Sequence, residues 1–306
     1  GPAGMAAAIR AAEAGVSVAL LDEHPEAGGV VWRGLVGASG ARKQSLARDY
    51  PTGFTMLDQL EGAKLARIFG ATIWEVTRDR VISYSQGGTA RQLAARRIIL
   101  ATGALERPMP FPGWTLPGVL TAGAAQIMLK TSGLTPPGPI VMAGSGPLLY
   151  LVAAQLLEAG QPPAAIVDTT PRENWLKALH HIPLRASAWR MIARWLSWQR
   201  KMRRSGVGVH RGASDLVALG DRQISGVRFQ CRGQAVDLPC ATLLLHSGVV
   251  PNVQLTRAIG LDHFWDELGQ AWHPHTDDMG RTRIDGILIA GDGAGISGAE
   301  AAVHSG

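Results

Sequence analysis

The chain has 306 residues, more than one ordinary domain of about 100–150 residues needs, and 46% of them are hydrophobic, enough for two cores. Its two cysteines, Cys231 and Cys240, form no CxxC, which excludes a disulfide framework and a dithiol active site. The net charge is +6, but nine Lys/Arg stand against one acid between Arg172 and Arg204, a net of +8 that leaves −2 for the rest, so a general nucleic-acid binder is excluded too.

Gly1 to Ala14 reads as a Gly turn entering an Ala-rich helix, and 16–21 as a buried strand closed by Asp22-Glu23. Gly28-Gly29 is a turn, 57–69 a helix, and 71–77, 81–85 and 91–96 the strands of a meander. The buried strand 97–101 closes at Thr102-Gly103. A Pro-rich connector from Pro108 to Pro117, a helix over 121–132 and a sharper break at Pro136-Pro-Gly-Pro139 follow. A second strand–turn–helix–strand unit then runs through 140–143, Gly144-Ser-Gly146, 148–159 and 164–167, ending at Asp168. Residues 172–204 read as helical and basic, strands dominate to about 245, and the buried strands 241–247 and 286–290 precede Gly291-Asp292 and a helix from about 297. Two strand–Gly-turn–helix–strand–acid units in one chain predict an α/β protein with two Rossmann-like dinucleotide-binding domains.

In such a unit the glycines let a pyrophosphate approach the backbone, and the helix N-terminus meets it with free amides. Gly1 and Gly4 fit the last two glycines of this fingerprint; the first glycine and its strand would precede them. Glu23 stands 19 positions past Gly4, where the fingerprint expects an acid for the adenosine ribose; Asp22 is its neighbour and points the other way. Leu100-Ala-Thr-Gly103 and Gly286-Ile-Leu-Ile-Ala-Gly-Asp292-Gly293 are two more buried strands ending in Gly turns, and the Asp292 carboxylate suits ribityl hydroxyls.

With these motifs in this order the sequence resembles the two-dinucleotide-domain flavoproteins of the glutathione/thioredoxin-reductase-like fold, which implies that the second domain is inserted in the first. More narrowly, Ala101-Thr-Gly-Ala-Leu-Glu-Arg-Pro108, Gly113-Trp-Thr-Leu-Pro-Gly-Val119, Ala143-Gly-Ser-Gly-Pro-Leu-Leu149, Gly248-Val-Val-Pro-Asn252 and Ala290-Gly-Asp-Gly-Ala-Gly295 resemble the large subunits of opine oxidases, hydrogen cyanide synthase and related proline or hydroxyproline dehydrogenases. The resemblance covers essentially the whole chain. It implies FAD at Gly1, Gly4, Glu23, Thr102, Gly103, Gly291 and Asp292, a partner flavoprotein subunit carrying the amine-oxidising site, and electron transfer as this chain's task. The expected organisation is an FAD-binding domain over 1–137 and 241–306, short of sequence at both ends, around a second nucleotide domain over 138–240. The Cys-rich segment of many relatives, suited to a [2Fe-2S] cluster, would lie beyond residue 306.

Gly144, Gly146 and Asp168, 22 positions past Gly146, suit a second adenine nucleotide without a 2′-phosphate, NAD or another. Leu149 stands where the third glycine belongs, which leaves a vestigial domain as the alternative. No catalytic acid or base stands out: His273 and His275 precede the Gly291-Asp292 motif and are otherwise loop residues, and His180-His181 lacks metal-ligand spacing, so no metal is assigned. The basic segment, with Trp175, Trp189, Trp195 and Trp198, has three readings: a helix packed on the second domain, a partner contact, or a helix on an anionic membrane surface. No apolar run approaches the roughly 20 residues of a membrane span, and a cytoplasmic location is expected, with association at a membrane surface left open. Two other functions stay open: a self-sufficient NADH-dependent flavin oxidoreductase without a redox disulfide, and a nucleotide-binding scaffold.

Overall fold

A computed structural model describes residues 1–171 and 186–306, and the side chains of all of these except 41, 45, 49, 186–192 and 194. The chain divides into two units: Gly1–Leu105 with Val249–Gly306, and, inserted between these stretches, Glu106–Gly248. The insertion is larger than the expected 138–240 at both ends. The reason is hydrogen bonding. Strand Val119–Thr121 pairs in parallel with strand Thr242–His246, which itself pairs with Ile140–Gly144. The Pro-rich connector also belongs to the inserted unit, because the Pro112 and Pro117 carbonyls accept from the Ala218 and Ile224 amides, both at 2.9 Å.

The inserted unit is a five-stranded parallel sheet in the order 208–211, 165–168, 140–144, 242–246, 119–121. Its central strands are buried throughout and mostly apolar, as a sheet covered on both faces requires. Alternation splits them: Ile140, Met142, Ile166 and Leu244 face a core with the helices Ala122–Ser132 and Pro147–Glu158. Val141, Ala143, Val167, Leu243 and Leu245 face the antiparallel meander Ser214–Gly220, Ile224–Cys231, Gln234–Pro239. Thr121 caps its helix by accepting the Ala124 amide at 3.2 Å, and Gly133 ends it in the left-handed region. The Arg107 amide donates to the Gly248 carbonyl at 2.9 Å, so the two ends of this unit meet.

The first unit has two parallel strand pairs. Ala19–Asp22 lies along Ala66–Phe69, and Ile98–Leu100 along Ile287–Ile289. The expected helix over 57–69 lies earlier, at Pro51–Gly62, and Ala66–Phe69 is extended. Gly62 and the short apolar segment after it end the helical run, and pairing with Ala19–Asp22 outweighs propensity. The expected meander is present as Ala71–Val76, Val81–Gln86 and Thr89–Ala94. Its Ala71, Val76, Ile82 and Tyr84 share a core with Ile98, Leu100, Ile287 and Ile289. Helix Pro2–Glu13 places Met5, Ala6 and Ile9 against Trp32, Leu35, Met56 and Leu60. A further helix, Gly40–Asp49, has no counterpart among the expected elements, because its residues carry little apolar periodicity.

Trp175, His180 and His181 lie outside the described residues, as do the side chains of Trp189, Arg190, Ile192 and Arg194. From Trp195 onward the helix Ala186–Arg204 packs on its own unit: Met202 is fully buried, Trp195 and Trp198 are partly so, and Lys201 donates to Glu158 at 2.5 Å. Among the described residues no helix is long and apolar enough to cross a membrane.

Gly144 offers a direct check on this packing. A Cβ there would lie 1.7 Å from the His246 carbonyl oxygen, at a backbone φ of 136°. Gly144→Ala is expected to destabilise the inserted unit by about 3 kcal/mol or more, a backbone clash added to left-handed strain; a thermal melt with an unshifted midpoint would contradict this.

Candidate functional site

In the first unit, register decides the site. Ile98 stands opposite Ile287 and Leu100 opposite Ile289, so the two parallel strands release their Gly turns at one end. The Ala290 amide donates to the Leu100 carbonyl at 3.0 Å, and a Cβ on Gly293 would stand 3.3 Å from Thr102 Oγ1. The Thr102-Gly103 turn and the Gly291–Gly293 turn are therefore neighbours. The first turn of helix Pro2–Glu13 lies against both: a Cβ on Gly291 would come within 2.7 Å of the Ala3 Cβ, and one on Gly4 within 3.3 Å of the Ala101 Cβ. Pro2 occupies the first helical position, and the first intrahelical bond runs from the Met5 amide to the Gly1 carbonyl at 3.0 Å. The Ala3 and Gly4 amides precede it and stay available to an anion.

Several residues hold this arrangement. Thr102 Oγ1 donates to the Asn252 carbonyl at 3.0 Å, and the Asn252 amide donates to the Gly103 carbonyl at 2.9 Å. The Val249-Val-Pro-Asn252 segment thus braces the Thr102-Gly103 turn, and Thr102 spends its donor on the brace. Asp292 Oδ1 accepts the Ser297 and Gly298 amides at 3.0 and 3.1 Å, shaping the approach to the helix Ala299–Ser305. Its Oδ2 has no partner among the described residues.

The acid pair at the end of Ala19–Asp22 divides between protein and solvent. Asp22 Oδ1 accepts the His24 amide at 3.0 Å, and its side chain is largely buried. The Glu23 side chain is 66% exposed, with Oε1 3.3 Å from His24 Nε2. Sequence reasoning missed Arg33, whose guanidinium contacts His24 Nε2 and whose Nε is buried without a partner. Its only sequence signal is a cation four residues past Gly29. Gly29 itself backs onto Gly1, where a Cβ would come within 2.6 Å of the Gly1 Cα. Helix amides, Cβ-free backbone at each point of approach, an exposed acid and an orphaned guanidinium N–H fit the pyrophosphate and ribose of FAD.

Of the two histidines expected in a loop, His273 lies in strand Ala271–Pro274, paired with His263–Asp266, and against the turn after Asp292. Its Nδ1 is 3.3 Å from the Ala294 carbonyl oxygen, and its ring stacks on Phe264 at 5.6 Å between centroids. His275 instead tilts over Phe264 at 4.9 Å.

The inserted unit brings Gly144, Gly146 and Asp168 to one end of its sheet, but their availability differs. Gly146 is exposed and precedes helix Pro147–Glu158. Leu149 does not hold the helix away; it is fully buried in the core beside Met142 and Ile166. Asp168 is 1% exposed. Its Oδ2 accepts the Tyr150 hydroxyl at 2.7 Å and its Oδ1 the Thr170 amide at 2.9 Å. Beside the Gly turn lies a buried pair that sequence reasoning also missed: His246 Nδ1 is 2.7 Å from Glu106 Oε1, and Glu106 Oε2 accepts the Gly123 amide at 2.9 Å. No group of three His, Cys, Asp or Glu among the described residues is arranged to hold a metal.

Both cysteines are free and buried. Cys231 Sγ donates to the Arg211 carbonyl at 3.7 Å, and burial pushes the Cys240 thiol up to about 11.

The family model of pyridine nucleotide-disulphide oxidoreductases matches residues 1–306. The opine oxidase A-subunit of Agrobacterium tumefaciens (strain Ach5) is 40% identical over 315 residues, covering 100% of this chain and 62% of that protein. Hydrogen cyanide synthase subunit HcnB of Pseudomonas aeruginosa is 31% identical over 337 residues, covering 100% and 67%. The chain thus spans somewhat under two thirds of the length of that opine oxidase polypeptide. Thioredoxin reductase of T. acidophilum superposes with a TM-score of 0.67 at 16% identity, over 99% of this chain and 91% of that one, a likeness of fold.

The thiol environment gives a prediction. Cys240, near 11, is almost wholly protonated at pH 8, the thiolate being the nucleophile, and Cys231 is shielded by burial. A maleimide or disulfide reagent is expected to label neither cysteine in the folded protein and both after denaturation; rapid labelling of a native pair would restore a dithiol mechanism.

Proposed function

The chain belongs to the pyridine nucleotide-disulphide oxidoreductase family, and on that premise we propose that it is the FAD-holding, electron-transferring part of an amine or imino-acid dehydrogenase complex of the opine oxidase kind, working with a second flavoprotein subunit. The observation that carries the FAD reading is the convergence of three features in the first unit: the helix start at Gly1, the Thr102-Gly103 turn, and the Gly291-Asp292 turn. The oxidase-complex reading is supported by the relatives, which are named as subunits of larger enzymes.

FAD, when bound, supplies the two-electron chemistry. Every other task falls to side chains and backbone. The Ala3 and Gly4 amides, at the positive end of helix Pro2–Glu13, hold the pyrophosphate. Glu23 accepts from the adenosine ribose hydroxyls, and Arg33 lies near it with a donor to spare. Asp292 Oδ2 accepts from the ribityl chain while Oδ1 keeps the following loop in place. Thr102 and Asn252 fix the neighbouring turn. The sequence offers no redox dithiol: its two cysteines are buried, and the loop after Gly28-Gly29 reads Val30-Val-Trp-Arg-Gly34. Disulfide reduction is therefore set aside, and oxidation of the C–N donor is assigned to the partner subunit.

Two outcomes test this. Removing one charged hydrogen-bond partner costs about 1.5–3 kcal/mol, so Glu23→Ala and Asp292→Ala are each expected to weaken FAD binding about 10- to 150-fold. Ultrafiltration of the full-length protein against free FAD measures this, and a wild type that retains no flavin would end the proposal. Second, the bound flavin is expected to keep its visible absorption under anaerobic NADH and to lose it when an amino-acid-derived donor and the partner subunit are both present. Bleaching by NADH alone would make the protein a self-sufficient NADH oxidoreductase.

A further inference from the structure

The family's description names a pyridine nucleotide, and the inserted unit has the strand, Gly turn, helix, strand and acid that bind one elsewhere. Its residues do not fit that ligand. In a dinucleotide site the acid ending the second strand accepts hydrogen bonds from a ribose diol, so its oxygens must face a ligand. Asp168 does end the second strand, Ala165–Asp168. Yet it is 1% exposed, and each of its oxygens already accepts from the protein: Oδ2 from Tyr150 at 2.7 Å and Oδ1 from the Thr170 amide at 2.9 Å.

Tyr150 is well held in that place. It belongs to the first turns of helix Pro147–Glu158 and is 2% exposed. Its ring meets Trp195 edge-on at 6.1 Å, within the core formed by Leu149, Ile166 and Met202. Burial, and then the Asp168 charge, hold its phenol well above the usual range, so it remains a donor at any physiological pH. Arg211, opposite Asp168 on the adjoining strand Gly208–Arg211, is tied to Gln199 Oε1 at 2.6 Å and also hydrogen-bonds the Tyr150 hydroxyl, which is thereby held from two sides. A ribose hydroxyl would have to displace a buried phenol, leaving a donor without its acceptor and a space in the core.

We propose that Tyr150 sets the ligand specificity of the inserted unit: its hydroxyl takes the position of the ribose diol at Asp168, and the unit excludes pyridine dinucleotides. This rests on the inserted unit alone and stands apart from the FAD reading of the first unit.

The test uses the full-length protein and NADH itself, with binding followed by equilibrium dialysis and flavin content measured separately on each sample. Wild type is expected to retain no NADH at millimolar concentration. Tyr150→Ala, which clears the space before Asp168, is expected to bind NADH at least about tenfold more tightly than wild type. Asp168→Asn in that background is expected to abolish the gain. Tyr150→Phe removes only the hydroxyl, freeing Asp168 Oδ2, and is expected to recover part of that gain. If Tyr150→Ala fails to give a cooperative thermal melt, Tyr150→Leu replaces it as the variant that removes the phenol while keeping apolar volume. Micromolar NADH binding by wild type overturns the proposal, and so does a folded Ala or Leu variant that binds NADH no better than wild type. Loss of flavin in any sample would bear on the FAD reading and leave the dialysis result to be judged by itself.

Discussion

Both units depend on a glycine backbone coming closer to its neighbour than a side chain of its own would permit. At Gly144 the neighbour is the His246 carbonyl, and at Gly291 it is the helix that starts beside Gly1. These approaches occur at the carboxyl ends of parallel strands, where every strand of a pair releases its chain on the same side. Register then converts sequence separation into proximity. Thr102 and Asp292 are far apart along the chain, yet the pairing of Ile98–Leu100 with Ile287–Ile289 makes their turns adjacent. A glycine replaced at such a point would do more than strain one residue; it would push apart the surfaces that jointly form a binding site.

The two acids at the ends of the second strands show how the same motif reaches opposite outcomes. Glu23 stands past its strand with a side chain 66% exposed, whereas Asp168 is sealed at 1%. The difference comes from the residues around each acid. Beside Glu23 are polar and charged loop residues, His24 and Arg33. Beside Asp168 is a helix whose first turns carry Leu149 and Tyr150 instead of small residues, so the core extends up to the carboxylate and supplies its partner.

Much of this was legible in the sequence because it is written in local signals. Glycine turns, Ala-rich and apolar helices, the three-strand meander and the acid spacing each follow from a few neighbouring residues. The fold class, the nested second unit and the grouping of the Gly turns rest on those signals. What was not legible depends on partners distant in sequence. The helix expected over 57–69 is displaced because strand pairing with Ala19–Asp22 outweighs local preference. The limits of the inserted unit follow strand Val119–Thr121 and the Pro112 and Pro117 carbonyls, not the most conspicuous run of prolines. Tyr150, His246 and Arg33 have no distinctive spacing. An acid 22 positions past a glycine reads the same whether its partner is a ligand or a side chain of the same protein.

The hydrogen bond between Arg107 and Gly248 has a consequence for synthesis. A nascent chain makes strand Ile98–Leu100 long before its partner Ile287–Ile289, and the entire inserted unit is translated in between. That unit has its own sheet and its own cores, and the residues that form them are all synthesised before Ile287–Ile289. When that unit is folded, its joined ends turn a long stretch of chain into a short tether, which lowers the loop-closure entropy that pairing of Ile287–Ile289 must overcome. The insertion thus acts as an internal clasp that shortens the path from strand Ile98–Leu100 to strand Ile287–Ile289.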